Sequence, residues 1–178
     1  MHEFMTLDGV VDAPVWSADY GFSEGQEKTL GPITDRAEGI LLGRNTFEMF
    51  AQSWPDRTVE DDPGAPFFND TMKYVVSGTL SDPESIWRNS TVVGRYDPDG
   101  IRKLKDEAGE LFVSGSTTLV RALLDDGLVD QLHLWVYPLT RPGGPRLFTE
   151  EATEQKMSLS DSERYENGVL YMRLEPQA

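Results

Sequence analysis

Gly39-Ile40-Leu41-Leu42-Gly43-Arg44-Asn45-Thr46-Phe47-Glu48 is the stretch that sets the fold class. Its run Ile40-Leu41-Leu42 is apolar without alternation, which suits a strand covered on both faces, as in a mainly parallel sheet. The run ends on Gly43 and passes directly into helical spacing, with Phe47, Phe50 and Ala51 on one side. A strand feeding a helix is the basic unit of an α/β protein. The junction also places free backbone N–H groups, the Thr46 hydroxyl and the Arg44 guanidinium where a phosphate monoester would sit. The same residues would equally serve as a plain strand–helix junction, with Thr46 as a cap and Arg44 in a surface ion pair. Spacing alone leaves both readings open.

The alternation recurs along the chain. Met1–Leu7, Lys73–Val76, Thr91–Val93, Leu111–Val113 and Gln131–Tyr137 read as further strands beside Gly39–Leu42. Asp97-Pro98 supplies an N-cap and a first-turn proline, Ile101, Leu104 and Ala108 mark one helical face, and Gly109 ends that helix. Ser116 can cap another, with Leu119/Leu123 and Val120/Leu124 spaced by four and Gly127 as its stop. The segment from about Ser23 to Ala37 reads as helical, and Gly31-Pro32 is expected to kink or split it. Met157–Arg164 and Val169–Leu174 flank Asn167-Gly168, a hairpin turn signal. The expectation is one domain over residues 1–178: an α/β, mostly parallel sheet closed by an antiparallel C-terminal hairpin. Met1–Leu7 enters the strand pattern partway along, so several residues are expected upstream of it.

Charge narrows the function classes. The chain carries 31 acidic against 16 basic side chains, a net charge of −15, which disfavours contact with nucleic-acid backbones. An anionic ligand would need local cations and amides working against that field. With no cysteine, disulfides, thiolate nucleophiles and cysteine-ligated zinc are out of reach. The two histidines, His2 and His133, lie on predicted strands without ligand spacing, so no metal site is expected. No apolar run approaches a membrane span and no signal pattern opens the chain, so a soluble cytoplasmic protein without membrane partners is expected. Asn69-Asp-Thr71 and Asn89-Ser-Thr91 match the glycosylation pattern by chance. Asp61-Asp62 and Asp125-Asp126 read as solvated charges, and Trp16, Tyr20, Phe50, Trp54, Trp135 and Tyr137 as core or pocket wall.

Two more turns could carry chemistry. In Leu111-Phe-Val-Ser114-Gly115-Ser116-Thr117-Thr118-Leu119 a strand again feeds a helix through a small, hydroxyl-rich turn. Gly115 would let backbone approach a pyrophosphate, and Ser116 to Thr118 offer N–H and O–H donors. An ordinary capping turn explains the residues as well. Two such turns in one parallel sheet favour a shared cleft over either alone. In Thr6-Leu7-Asp8-Gly9-Val10-Val11-Asp12-Ala13-Pro14 the first strand opens into a long loop suited to act as a lid. There Asp8 would either hydrogen-bond a substrate amine or pyrimidine edge or cap the turn made by Gly9. Ser114-Gly115-Ser116 does not form a nucleophile elbow, and no histidine is placed to serve one.

Taken in order, these motifs resemble the reductase domain of riboflavin biosynthesis, within the dihydrofolate-reductase-like superfamily. Met5-Thr-Leu-Asp8-Gly9 resembles its [S/T]-L-D-G segment, and Leu42–Glu48 the G-R-x-T-[WYF]-E motif of dihydrofolate reductases. Lys73–Ser77 and Leu111–Val120 are similar to the remaining nucleotide-binding framework, Leu124–Leu134 to a helix–turn–strand, and Pro142–Phe148 to the glycine-containing turn that follows. The likeness runs from Thr6 to Phe148. It implies a three-layer fold with about eight mostly parallel strands, NADPH as cofactor, and a homodimer. It also implies that Arg44 and Ser77 face the adenosine 2′-phosphate, and that Gly43, Asn45, Thr46, Gly115, Ser116, Thr117 and Thr118 line the pyrophosphate. Thr6, Leu7, Asp8 and Gly9 would lie near the nicotinamide, with Asp8 the candidate catalytic group, orienting substrate or relaying a proton.

The implied reaction is hydride transfer to a pterin-, pyrimidine- or ribosylamine-like molecule, as in 5-amino-6-(5-phosphoribosylamino)uracil reduction. The alternative is a non-catalytic flavin-, pterin- or nucleotide-binding module on the same fold. Two departures stand out. No segment matches the deaminase of the riboflavin enzyme, whose zinc site cannot be built without cysteine. The carboxylate that dihydrofolate reductases hold on their first long helix has no match either, although Glu24, Glu27 and Asp35 lie near that region.

Overall fold

Eight strands and six α-helices alternate in a computed structural model that describes residues 1–150 and 152–177. The strands are β1 (His2–Thr6), β2 (Gly39–Gly43), β3 (Met72–Val76), β4 (Ser90–Gly94), β5 (Leu111–Val113), β6 (Leu132–Tyr137), β7 (Met157–Arg164) and β8 (Leu170–Pro176). The helices are α1 (Glu24–Arg36), α2 (Arg44–Phe50), α3 (Ala65–Asp70), α4 (Pro83–Ile86), α5 (Pro98–Ala108) and α6 (Thr117–Asp125), with a short 3-10 helix at Val15–Tyr20. The chain divides into two compact units, Ile33–Leu119 and Met1–Pro32 with Val120–Ala178.

In the unit Ile33–Leu119 the sheet runs β4-β3-β2-β5, with every pairing parallel. All five residues of β2 are buried, as an apolar run without alternation requires of a central strand. Ile40, Leu41, Leu42, Phe47, Val75, Trp87, Ile101 and Phe112 form the core of this unit. Helix α5 starts as its sequence specifies: Asp97 accepts a hydrogen bond from the Gly100 N–H at 3.1 Å, and Pro98 fills the first turn. Lys73 is fully buried. Its ammonium donates to the carbonyls of Phe68 and Thr71, each at 2.8 Å, and lies 4.5 Å from the Trp87 ring centroid. Those carbonyls belong to the end of α3, where helical partners run out. Burial lowers the Lys73 ammonium to about 8.

In the other unit the order is β1-β6-β8-β7, with β1–β6 parallel and both remaining pairings antiparallel. Strands β7 and β8 form the C-terminal hairpin around Asn167-Gly168, where Gly168 takes a φ of 86°. Leu123 and Leu124 are buried on α6, and Gly127 closes the turn that follows it: the Leu128 N–H donates to the Leu123 carbonyl at 2.8 Å and the Gly127 N–H to the Leu124 carbonyl at 3.1 Å. His2 and His133 are register partners on β1 and β6, both buried, and burial lowers His2 to about 3.

The sequence reading needs correction at several places. Helix α1 runs unbroken through Gly31-Pro32, so the expected split does not occur. A proline four residues from the C-terminal end removes one backbone donor without ending the helix. The first strand stops at Thr6, because the turn Thr6–Gly9 begins there, with the Gly9 N–H donating to the Thr6 carbonyl at 2.9 Å. Helices α3 and α4, of 6 and 4 residues, were not expected. Asp61 and Asp62 hold turns: Asp61 accepts from the Thr58 N–H and hydroxyl, and Asp62 from the Gly64 N–H. Among the described residues, no helix is long and apolar enough to cross a membrane.

Candidate functional site

Parallel strands present their carboxyl ends on one edge, and adjacent strands whose connections diverge leave a crevice there. In Ile33–Leu119 that condition falls between β2 and β5. The chain leaves β2 toward β3 on one side, while β5 lies on the other and leads out through α6. The two turns singled out in the sequence meet at this point. The Gly43 N–H donates to the Gly115 carbonyl at 3.2 Å. Both glycines are required by close approach. A Cβ on Gly43 would collide with the Ser116 side chain and lie 3.1 Å from its backbone N. On Gly115, at a φ of 83°, it would lie 2.7 Å from Thr46 Oγ1. Gly43, Thr46, Gly115 and Ser116 are thus brought into one packed junction. Asn45 and Thr118 are exposed beside it, on the first turns of α2 and α6, and Thr117 opens α6. Neither first turn contains a carboxylate that would cancel the partial positive charge of its N–H groups.

Arg44 begins α2 and stays on the surface. Its Nε donates to Glu48 Oε1 at 2.8 Å and its Nη1 to the Thr79 hydroxyl at 2.6 Å. The second bond brings it to the turn that follows β3. Ser77, buried at the head of that turn, accepts hydrogen bonds from the Thr79 N–H at 3.2 Å and the Leu80 N–H at 2.9 Å. Arg44 and Ser77 therefore flank one turn, 33 positions apart in sequence but adjacent at the sheet edge. The ion pair read as the plain alternative for Arg44 is present too, with the guanidinium fork only partly used.

Thr6, Leu7, Asp8 and Gly9 lie in the other unit, at the carboxyl end of β1. Their polar groups engage one another and the long connection after β6. Asp8 Oδ1 accepts from the Thr6 hydroxyl at 2.7 Å and from the Arg141 N–H at 3.1 Å, and Asp8 Oδ2 pairs with Arg146 at 3.2 Å. Arg146 also donates to the Asp8 carbonyl. The Thr6 hydroxyl accepts from the Val10 N–H at 2.9 Å. These contacts, the Thr6 hydroxyl foremost, hold the Asp8 carboxyl below its ordinary value. An anion so held accepts hydrogen bonds and does not donate a proton near neutrality. Leu7 is exposed, and Gly9 adopts a φ of 90° with open space where a side chain would be.

Sequence reasoning missed two residues. Gln26 is the fully buried polar side chain of α1; Glu24, Glu27 and Asp35 on the same helix are exposed. Its amide accepts from Asn167 at 2.6 Å and from the Ser23 N–H at 3.1 Å, and donates to the Tyr137 hydroxyl at 3.4 Å. Burial raises Tyr137. Arg95, directly after β4, is the other, because its side chain lies across Gly78 in the Ser77–Leu80 turn. A cleft of about 460 Å³ is lined by Arg121, Leu124, Leu147, Phe148 and Gln155 among others, and includes none of the residues proposed from sequence.

The fold is that of a dihydrofolate-reductase-like protein. The chain belongs to the RibD C-terminal domain family, which matches residues 1–171. It is 23% identical over 171 residues to "Uncharacterized protein YyaP" of Bacillus subtilis (strain 168), covering 92% of this chain and 82% of that protein. A solved "Putative riboflavin biosynthesis protein" of Shewanella sp. PV-4 superposes with a TM-score of 0.81 at 18% identity, covering 99% of this chain and 97% of that one. A pyrimidine reductase-like protein of Corynebacterium diphtheriae gives 0.67 at 13% identity, covering 99% and 90%. At these identities the structural likenesses establish fold alone.

Proposed function

We propose that this protein is an NADPH-dependent reductase acting on a pterin-, pyrimidine- or ribosylamine-like small molecule, a homodimer of the cytoplasm. The observation that carries the reading is the junction of two hydroxyl-rich turns, Gly43–Thr46 and Gly115–Thr118, at the carboxyl ends of β2 and β5. Its donors suit a dinucleotide chemically. The first turns of α2 and α6 offer N–H groups and hydroxyls without a carboxylate, which fits a pyrophosphate. Arg44 retains guanidinium donors beside Ser77, which fits a phosphate monoester. In this reading Arg44 and Ser77 hold the 2′-phosphate, and Gly43, Asn45, Thr46, Gly115, Ser116, Thr117 and Thr118 hold the pyrophosphate. Thr6, Leu7 and Gly9 keep the nicotinamide role that family resemblance implies. NADPH, when bound, supplies a hydride to a polarised C=N bond, with water supplying the proton. Asp8, held ionised, shapes the Thr6–Gly9 turn and orients rather than protonates.

That same state of Asp8 favours a second reading, a module that binds a nucleotide, flavin or pterin without turning it over. Calorimetry with NADPH and NADH decides the cofactor question. Arg44→Ala is expected to weaken NADPH about tenfold or more, the loss of a charge-assisted contact, and NADH far less. Equal losses would remove Arg44 from the 2′-phosphate, and binding of neither dinucleotide at millimolar concentration would overturn the reading. Ligand binding without NADPH oxidation, or a yellow chromophore on the purified protein, would select the module.

A further inference from the structure

We infer that the outer edge of β7 pairs antiparallel with β7 of a second copy of this chain, about a two-fold axis between Ser160 and Asp161. The inference names an interface for the homodimer in the reading above, on which it rests, and is independent of the cofactor. β7 ends the strand order β1-β6-β8-β7, so among the described residues one of its edges has no strand beside it. It is 8 residues long, contains no proline, and every residue after Met157 is exposed. An open edge of that kind presents a row of N–H and C=O groups, a template for another strand.

Pairing with β8 decides which of those groups point outward. Antiparallel neighbours alternate between pairs that exchange hydrogen bonds and pairs that do not. The Tyr165 N–H donates to the Val169 carbonyl at 2.9 Å, and the Gln177 N–H to the Lys156 carbonyl at 2.8 Å. Counting inward from those bonds, Met157, Leu159, Ser162 and Arg164 stand in the pairs that exchange none with β8, so their backbone groups face away from it. The bulge between Leu159 and Asp161 shifts the alternation by one residue. One antiparallel register then matches all four: Met157 with the partner's Arg164, and Leu159 with the partner's Ser162, each repeated by the two-fold. Every matched pair also lies on one sheet face, because the β8 residues opposite these four, Pro176, Leu174, Met172 and Leu170, alternate along their strand.

The side chains suit that register. Ser158 faces the partner's Glu163, and Lys156 lies diagonal to the same carboxylate, within reach of a long side chain. Lys156 and Glu163 are both exposed, and the two-fold makes the contact twice. Copies with a net charge of −15 repel one another, so a self-pairing edge needs a cation set against a carboxylate. On the opposite face Leu159, 58% exposed, comes under the stem of the partner's Arg164.

The chain has no cysteine, so introduced ones report the register directly. Ser158 and the partner's Glu163 form a pair that exchanges no hydrogen bond, with Cα atoms roughly 4.5 Å apart, inside the range of a disulfide. Each of these residues is roughly 17 Å from its own copy. The double variant Ser158→Cys/Glu163→Cys is expected to run as a covalent dimer on a non-reducing gel after mild oxidation. Ser158→Cys and Glu163→Cys alone are expected not to cross-link. Ser162→Pro removes an outward N–H and leaves the ladder to β8 in place. It is expected to weaken the dimer about tenfold by sedimentation, with an unchanged circular dichroism spectrum. A dimeric wild type whose double variant fails to cross-link overturns this interface and leaves the homodimer to another face. A Ser162→Pro dimer as tight as wild type overturns it too, and cross-linking by either single variant overturns the register. A wild type that sediments as a monomer overturns both the interface and the homodimer, whether or not it binds NADPH.

Discussion

Two strand ends in this molecule carry similar residues and use them in opposite ways. At the carboxyl ends of β2, β3 and β5 a packed glycine junction is flanked by exposed Asn45 and Thr118 and by Arg44, whose guanidinium fork is only partly used. At the carboxyl end of β1 the threonine, the aspartate and their neighbours satisfy one another: Thr6 donates to Asp8, and Arg141 and Arg146 close on the same carboxylate. In the proposed reading the first arrangement receives an anion; the second is a knot that fixes the shape of a turn. The difference teaches that residue type at a strand end does not announce a ligand. What counts is whether the polar groups have already been consumed.

One positive-φ glycine at each of these two strand ends tests the contrast most sharply. Gly115 stands at 83° with Thr46 against it, and Gly9 at 90° with nothing within 4 Å. Forcing an L side chain into this conformation costs roughly 1–2 kcal/mol at either position. At Gly115 crowding against Thr46 adds roughly 1–2 kcal/mol more. Gly115→Ala is therefore expected to lower stability by about 3 kcal/mol and Gly9→Ala by about 1.5 kcal/mol in urea unfolding. Equal losses would mean that the β2–β5 junction is not close-packed, and the contrast would fail at its structural root.

How much of this was legible depended on the range of the interactions. Ile40-Leu41-Leu42 announced a central parallel strand, and all five residues of β2 are buried. Asn167-Gly168 announced the hairpin, and Asp97-Pro98 the start of α5, because caps and turns are written in neighbouring residues. The short helices α3 and α4 escaped, since a few residues carry too little periodicity to be read. Gln26 reads as a solvent-facing helical residue, and its partners Tyr137 and Asn167 lie 111 and 141 positions away. Arg95 follows a short strand and meets Gly78 only through the register of β3 with β4. Asp8 could be read as a catalytic group because its partners lie 133 and 138 positions downstream.

A smaller effect probes the knot itself. Arg146 joins Asp8 through both its carboxylate and its carbonyl, and Val10 bridges to Arg146 in an antiparallel pair. Arg146→Ala should free the Thr6–Val11 turn without touching the β2–β5 junction. Amide exchange over Thr6–Val11 is expected to quicken about tenfold, while Gly43–Thr46 and Gly115–Thr118 keep their rates, as local opening predicts. Uniform acceleration across the chain would show that Arg146 supports the whole fold and not one turn.

The smallest effect is a pH dependence whose sign is fixed by the contacts of Asp8. Its folded-state carboxyl is held below the ordinary value, first by the Thr6 hydroxyl and then by the Arg141 N–H and the Arg146 charge. A depressed carboxyl binds its proton less readily folded than unfolded, so its contribution is complete above the unfolded value and is lost as pH falls through the folded one. Asp8→Asn removes that dependence and keeps an oxygen for the Arg141 N–H. The stability difference between wild type and Asp8→Asn should therefore be constant near neutrality and shrink as pH falls through and below the ordinary carboxylate range, read by urea unfolding at successive pH values. A difference that grows on acidification would mean that Asp8 is raised, not lowered. It would then be a group able to hold a proton for transfer, and the contrast between a receptive edge and a closed knot would give way to two active strand ends.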